Sequence, residues 1–131
     1  MTEIETLVYF DIEATGLKSC GNPRITEMSF VAVNIQSIID LHDSIRKKSK
    51  EENMILEILL PRVMNKLTIC VYPMATIMPN VTSITGLDNY NLNGQSRFDK
   101  NTGELLKAFW NDFPPQFVCL LTMEMTMISH Y

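Results

Sequence analysis

The chain has 131 residues, 46% of them apolar, and a formal net charge of −4, which suits one globular domain with its own core and excludes disorder throughout. The acidic balance excludes a general electrostatic field for nucleic acid, so any such contact has to be local, made by metal ions, backbone amides and a few cations. No run is long and apolar enough to span a bilayer, and the start Met1-Thr2-Glu3-Ile4-Glu5 lacks the basic and apolar regions of a signal peptide.

The segment Leu7-Val8-Tyr9-Phe10-Asp11-Ile12-Glu13-Ala14-Thr15-Gly16-Leu17 predicts a strand over residues 6 to 13 that delivers two carboxylates, one residue apart, into a turn of small residues. Side chains two apart share one face of a strand. Asp11 and Glu13 therefore converge, with Tyr9, Phe10 and Ile12 packed around them. A generic D-x-E pair is more often an acidic strand end on a solvated surface. Here apolar residues run directly up to the acids, and two unpaired carboxylates at the mouth of a core are costly unless a cation or a proton resolves them. An oxygen-only ligand pair suits Mg²⁺ or Mn²⁺ rather than zinc.

Gly16 to Pro23 reads as a loop. A second, adjacent strand over residues 25 to 36 has Ile25, Val31, Val33 and Ile35 in near alternation. The polar tract from Gln36 to Asn53, with Arg46-Lys47-Lys48-Ser49-Lys50-Glu51-Glu52, then interrupts the sheet. It reads either as a solvated loop or frayed helix, or as a basic patch that touches a DNA backbone. Residues 66 to 72 predict a third strand, and Pro79 to Asn93 a turn with one or two short helices. Asp99 caps a helix running to about Asp112, with Leu105, Leu106, Phe109 and Trp110 on its inner face. Gly103 weakens that helix locally, Pro114-Pro115 stops it, and Gln116 to Leu121 reads as a fourth, buried strand. Cys20, Cys70 and Cys119 are widely spaced with no C-x-x-C pair. That is the pattern of reduced thiols in a cytoplasmic or nuclear protein, not of a zinc site.

The first segment resembles the first motif of the DEDDh 3'-5' exonucleases, typically F-D-x-E-T/A-T-G-L, and more narrowly that of the three-prime repair (TREX-type) branch. Pro23-Arg24-Ile25-Thr26-Glu27-Met28 is similar to that family's second strand, and Asn65-Lys66-Leu67-Thr68-Ile69-Cys70-Val71-Tyr72-Pro73 to its third. Ile84-Thr85-Gly86-Leu87 matches the I-T-G-L loop that holds the terminal bases of the substrate. With gaps, the similarity covers about residues 5 to 121. It implies an α/β, ribonuclease H-like exonuclease fold with a mixed sheet, of which this chain has the N-terminal half, a partial domain over residues 1–121.

The resemblance also implies the chemistry. Two Mg²⁺ or Mn²⁺ ions would bind one phosphate at a DNA 3' end, generate a hydroxide and stabilise the leaving 3' oxygen. Asp11 would bridge both ions, and Glu13 would hold one and help orient the nucleophile. Ala14, Thr15, Gly16 and Leu17 would lie against the terminal nucleotide, Gly16 allowing close backbone approach. Ile84, Thr85, Gly86 and Leu87 would receive its bases, with Ile84 and Leu87 as apolar wedges. Without the first motif, Ile84 and Leu87 would read as core residues beside a glycine turn. TREX-type enzymes pair the third strand across a dimer interface, so residues 66–72 imply a homodimer, for which an apolar edge strand is suited.

The family pattern further needs a second Asp in a motif of the kind A-H-N-G-x-x-x-D-F-P, then a His general base with a fourth Asp. The chain instead runs from Phe117-Val118-Cys119-Leu120 into Leu121-Thr122-Met123-Glu124-Met125-Thr126-Met127-Ile128-Ser129-His130-Tyr131. His42, in the polar tract, and His130, one residue from the end, are not assigned as the base. The chain as given is therefore expected to be inactive. Two rival readings are a truncated isoform that keeps the dimerising strand and regulates a full-length partner, and a fragment without function.

Codon logic accounts for the tail. Methionine has one codon, so reading from the third base of the Leu121 codon forces Gly from Met123 plus Glu124, Asp from Met125 plus Thr126, Asp from Met127 plus Ile128, and Leu at the end. With permitted wobble bases that frame reads His-Asn-Gly-Asn-Asp-Asn-Asp-Phe-Pro-Leu, which is the missing motif. Residues 122–131 then form an out-of-frame tail, created by a slip of one base near Leu121. Sequencing the transcript across Leu121 is expected to show a continuing open frame that encodes this motif, an apolar helix, and later a His with an Asp about one helical turn away. Stop codons in all frames after Leu121 would overturn the expectation.

Overall fold

β-branched and aromatic residues favour a pleated, half-buried backbone, and they fill the two central strands, β1 (Thr6–Ala14) and β2 (Ile25–Asn34). The computed structural model describes residues 4–17, 21–48, 60–113 and 117–121, the last segment as backbone only. Chain order continues with α1 (Ile35–Lys48), β3 (Val63–Cys70), α2 (Pro79–Thr85), α3 (Lys100–Asn111) and β4 (Phe117–Leu121). The sheet order is β3-β2-β1-β4. β1 and β3 each pair antiparallel with β2, while β4 pairs parallel with β1, so the sheet is mixed, as expected.

Register determines which residues share a face. Val8 lies opposite Ala32, Phe10 opposite Phe30 and Ile12 opposite Met28. On the next strand Leu67 and Ile69 lie opposite Phe30 and Met28. This face carries the core: Val8, Met28, Phe30, Ala32, Val71 and Phe109 are buried, with Leu106, Trp110 and Phe113 of the α3 region packed against them. Phe10 and Phe30 stack at 4.4 Å between ring centroids, and Phe30 meets Phe109 at 5.5 Å and Trp110 edge-on at 5.6 Å. The buried parity of β2 is thus Thr26, Met28, Phe30 and Ala32, opposite to the expected set. β2 has apolar residues on both faces, so two patterns of period 2 compete. The docking of α3 decides between them. Of the expected set only Val33 is fully buried, and Ile35 becomes the first residue of α1.

The helices follow local signals. Asp99 accepts hydrogen bonds from the Asn101 and Thr102 amides at 2.9 and 3.2 Å, and Thr102 Oγ1 accepts from the Asp99 amide, a reciprocal cap that starts α3 as predicted. Leu105, expected inside, is 54% exposed, because it lies at the margin of the stripe formed by Thr102, Leu106, Phe109 and Trp110. The tract after Gln36 is a helix and not a loop as far as Lys48. Asn34 caps it by accepting from the Gln36 and Ser37 amides, and the rest of that tract, to Asn53, lies outside the described residues. Arg46 and Lys47 are exposed in its last turn, where cations favour the helix dipole. No helix among the described residues is long and apolar enough to cross a membrane.

Phe30→Ala is expected to destabilise the fold by about 3–5 kcal/mol, the usual cost of emptying a buried aromatic site, and Phe30→Leu by about 1.5 kcal/mol or less. Urea unfolding followed by tryptophan fluorescence measures both.

Candidate active site

The face of β1 opposite the core presents Leu7, Tyr9, Asp11 and Glu13. Tyr9 therefore stands on the acids' own face, while Phe10 and Ile12 lie behind it against the core. Asp11 is exposed and Glu13 half-buried. The strand pairing brings Ser29 opposite Asp11 and Glu27 opposite Glu13, and a bulge directly after Glu13 ends the regular ladder. Directly opposed side chains in an antiparallel pair are about 5 Å apart at Cβ, so Glu27 adds a third carboxylate to this face. Sequence reading missed that role. Glu27 stood inside a recognised stretch, but only the register shows its neighbour.

Glu27 is held in place from its other side. The Cys70 thiol donates to its Oε2 at 3.3 Å and the Ser29 hydroxyl to its Oε1 at 3.4 Å, with Ser29 and Thr68 hydrogen-bonded at 3.0 Å. Burial, then the hydrogen bond to Glu27 and that carboxylate's charge, push the Cys70 thiol up to about 11. Cys70 consequently stays a protonated donor and is unsuited to binding metal as a thiolate. Burial also raises the affinity of Glu13 for a proton, followed by the charges of Asp11 and Glu27. The contact of His42 with Asp43 at 3.4 Å, an ion pair only when His42 is protonated, involves none of these acids.

The face therefore has excess negative charge, carried by oxygen donors of the kind that hard cations prefer. No three His, Cys, Asp or Glu side chains among the described residues are grouped closely enough to hold a metal ion by themselves. Asp11 and Glu13 fit as a partial ligand set, with the remaining positions left to water, phosphate or other residues.

The structure also places the two expected substrate segments. Thr15 is buried, and its polar groups are committed inside the protein. Its amide donates to the Arg24 carbonyl at 2.9 Å, its hydroxyl accepts from the Arg24 amide at 3.1 Å, and its carbonyl accepts from the Met78 amide at 3.3 Å. Ala14, Gly16 and Leu17 are half-buried around it. In the second segment Thr85 is likewise committed, donating to the Val81 carbonyl and accepting from the Leu87 amide. Gly86 ends α2 at φ 74°, a left-handed conformation that favours glycine. Ile84 is 69% exposed, an apolar side chain offered to solvent next to that cap. Leu87 is half-buried.

The chain is 35% identical over 107 residues to three prime repair exonuclease 2 of Homo sapiens, a match that covers 80% of this chain and 41% of that protein. It is 34% identical over 120 residues to three-prime repair exonuclease 1 of Homo sapiens, covering 90% and 36%. The chain thus spans about two fifths of the length of these curated relatives. No family model matches it. Among solved structures it superposes on cell-death related nuclease 4 with a TM-score of 0.60 and 13% identity, covering 90% of this chain and 35% of that one. A full-length 3'-exonuclease superposes with a TM-score of 0.59 and 14% identity, covering 92% and 47%. These matches bear out the expected exonuclease fold, and with it the resemblance to TREX-type DEDDh exonucleases over part of their length.

The crowding at Glu13 has a thermodynamic sign. A carboxylate whose folded pKa is raised binds more protons folded than unfolded, so its contribution to stability falls as pH rises from the ordinary carboxylate range through the raised value. In the absence of divalent ions, Glu13→Gln is expected to raise the thermal midpoint at pH 7 and to lose that advantage at acid pH. A thermal-shift series across pH checks both.

Proposed function

We propose that residues 1–121 are a partial TREX-type 3'-5' exonuclease domain that acts at DNA 3' ends, with Asp11 and Glu13 as the metal-binding catalytic acids and residues 122–131 an out-of-frame tail. One observation carries the reading: both acids stand on the same face of β1, unpaired by any cation among the described residues and crowded by Glu27. Such a face is unfavourable for a fold and useful for a divalent ion. Asp11 and Glu13 would hold Mg²⁺ or Mn²⁺, of which the complete family site takes two. When bound, the metal supplies a hydroxide at neutral pH and stabilises charge on the leaving 3' oxygen.

The chain's own residues supply position. Glu13, with its raised proton affinity, stands beside Asp11, where it can orient a nucleophilic water. Ala14 to Leu17 follow directly, on a turn fastened by Thr15. Ile84, with Leu87 three residues on, would offer an apolar contact that accepts any base, because wedging does not read hydrogen-bond patterns. Removal of 3' nucleotides needs the second Asp and the His–Asp pair of the family pattern as well. These are absent from the sequence, so this chain alone is proposed to be inactive.

A second reading has its own support. β3 is the outer strand of the sheet among the described residues, and Val63 and Met64 on it are exposed. Of the expected segment 66–72, residues 66–70 are strand and can pair with a second copy, which would make the chain a dimerising regulator of a full-length exonuclease; the amides of Val71 and Tyr72 are bonded to Thr26 and Ser96 instead.

Purified chain is expected to bind Mn²⁺ with a Kd on the order of millimolar, since two carboxylates leave most of an octahedral shell to water, and to lose that binding on Asp11→Ala. With Mg²⁺ and a single-stranded oligonucleotide it should release no nucleotides above background, because the missing general base alone accounts for about 10²–10⁴-fold in rate. Mg²⁺-dependent degradation abolished by Glu13→Ala would overturn the proposed incompleteness. Co-purification of the chain with a full-length form would favour the second reading.

A further inference from the structure

Met78 joins the two expected substrate segments, and no motif marked it. Its amide donates to the Thr15 carbonyl in the turn after β1 at 3.3 Å. Its own carbonyl accepts from the Val81 and Thr82 amides at 2.9 and 3.1 Å, which fixes it to the first turn of α2. Its side chain lies against Gly16: a Cβ built at Gly16 would meet Met78 Sδ at 3.3 Å and Cγ at 3.8 Å. That distance is tight enough that one of the two must give.

The residue type is informative. Met78 is the N-cap of α2, with extended backbone and Pro79 next, yet its side chain makes no capping hydrogen bond. Ser, Thr, Asp or Asn there would satisfy a free amide of the helix. A thioether gives up that bond. It gains a flexible, polarisable contact, and at 38% exposure Met78 is not simply a core residue. Gly16 does not have a positive φ, so the backbone does not require glycine at that position. The approach of Met78 is what makes a Cβ there tight by a few tenths of an ångström.

We propose that Met78 is a positioning residue that couples the Ala14–Leu17 turn to α2, so that the turn following Asp11 and Glu13 and the Ile84–Leu87 segment act as one clamp on a DNA 3' end. The link between segments is independent of the proposed function; its use on DNA rests on that function. A push at Gly16 reaches α2 through the Met78 side chain, alongside the amide link to Thr15, and α2 carries it to Ile84 at its far end.

A double-mutant cycle on the full chain tests this, with hydrogen exchange of the Val81, Thr82 and Gly86 amides as the readout and no DNA present. Gly16→Ala should speed exchange in α2 by about fivefold in the Met78 background and leave it unchanged in a Met78→Ser background, where the contact is gone and a capping hydroxyl is supplied. Met78→Leu, which keeps the bulk, should restore the response to Gly16→Ala. The second readout is fluorescence anisotropy with a single-stranded oligonucleotide ending in a 3' hydroxyl. Met78→Ser should weaken binding about fivefold and Met78→Leu less than about twofold. The same exchange response to Gly16→Ala in both backgrounds overturns the coupling. Coupled exchange in a wild-type chain that does not bind the oligonucleotide upholds the link and overturns its use on DNA.

Discussion

The stacking of Phe10 on Phe30 fixes the register on which the rest of the sheet depends. The two rings face each other across β1 and β2 at 4.4 Å, nearly parallel, and Phe109 and Trp110 close over Phe30. Strand side chains alternate with a period of 2, so a slip of one residue would send every side chain of β1 to the other face. Burying this aromatic cluster sends Asp11 and Glu13 outward together. The same register places Ser29 and Glu27 opposite them. The hydrophobic core thus orients the acids without touching them.

The two faces of the sheet divide the work. The inner face is mainly apolar from β3 to β1, with Thr6 and Thr26 buried on it as well, and takes α3. The outer face gathers charge: Glu27 is anchored by hydroxyl and thiol donors from its own strand and β3 and crowds Glu13 from across the ladder. Like charges at this spacing raise the free energy of the folded protein unless a proton or a cation joins them. Cys70 contributes as a protonated donor and not as a nucleophile, because burial and its carboxylate partner oppose ionisation. This unfavourable surface is the one proposed to hold the divalent ion.

The two segments proposed to bind substrate are built differently. Thr15 and Thr85, both polar and both within expected binding motifs, use their hydroxyls internally, one to fasten the turn onto Arg24 and the other to finish α2. What the segments leave open is apolar, chiefly Ile84. Turns held by internal hydrogen bonds that present an apolar side chain suit a ligand recognised by apolar contact rather than by a hydrogen-bond code.

The sequence by itself determined the features that depend on neighbours in the chain. The spacing of Asp11 and Glu13 puts both on one face of any strand, Asp99 ahead of Thr102 caps a helix wherever that helix packs, and Gly86 admits the left-handed turn that ends α2. The motif pairing of residues 7–17 with residues 84–87 was legible only through the resemblance to the exonuclease family, not through any local rule. Tertiary structure alone decided the rest. β2 carries apolar residues on both faces, and only the docking of α3 made Met28 and Phe30 its inner set and left Val31 on the outer face, while Ile25 joins the core at the bulge. Asn34 capping α1 is a local signal that the sequence reading passed over, whereas Glu27 beside Glu13 and Met78 against Gly16 are contacts of register and loop closure. The last two join residues 14 and 62 positions apart, and no local period records them, because long-range pairing is set by the burial of the whole sheet and not by the covalent repeat of the strand.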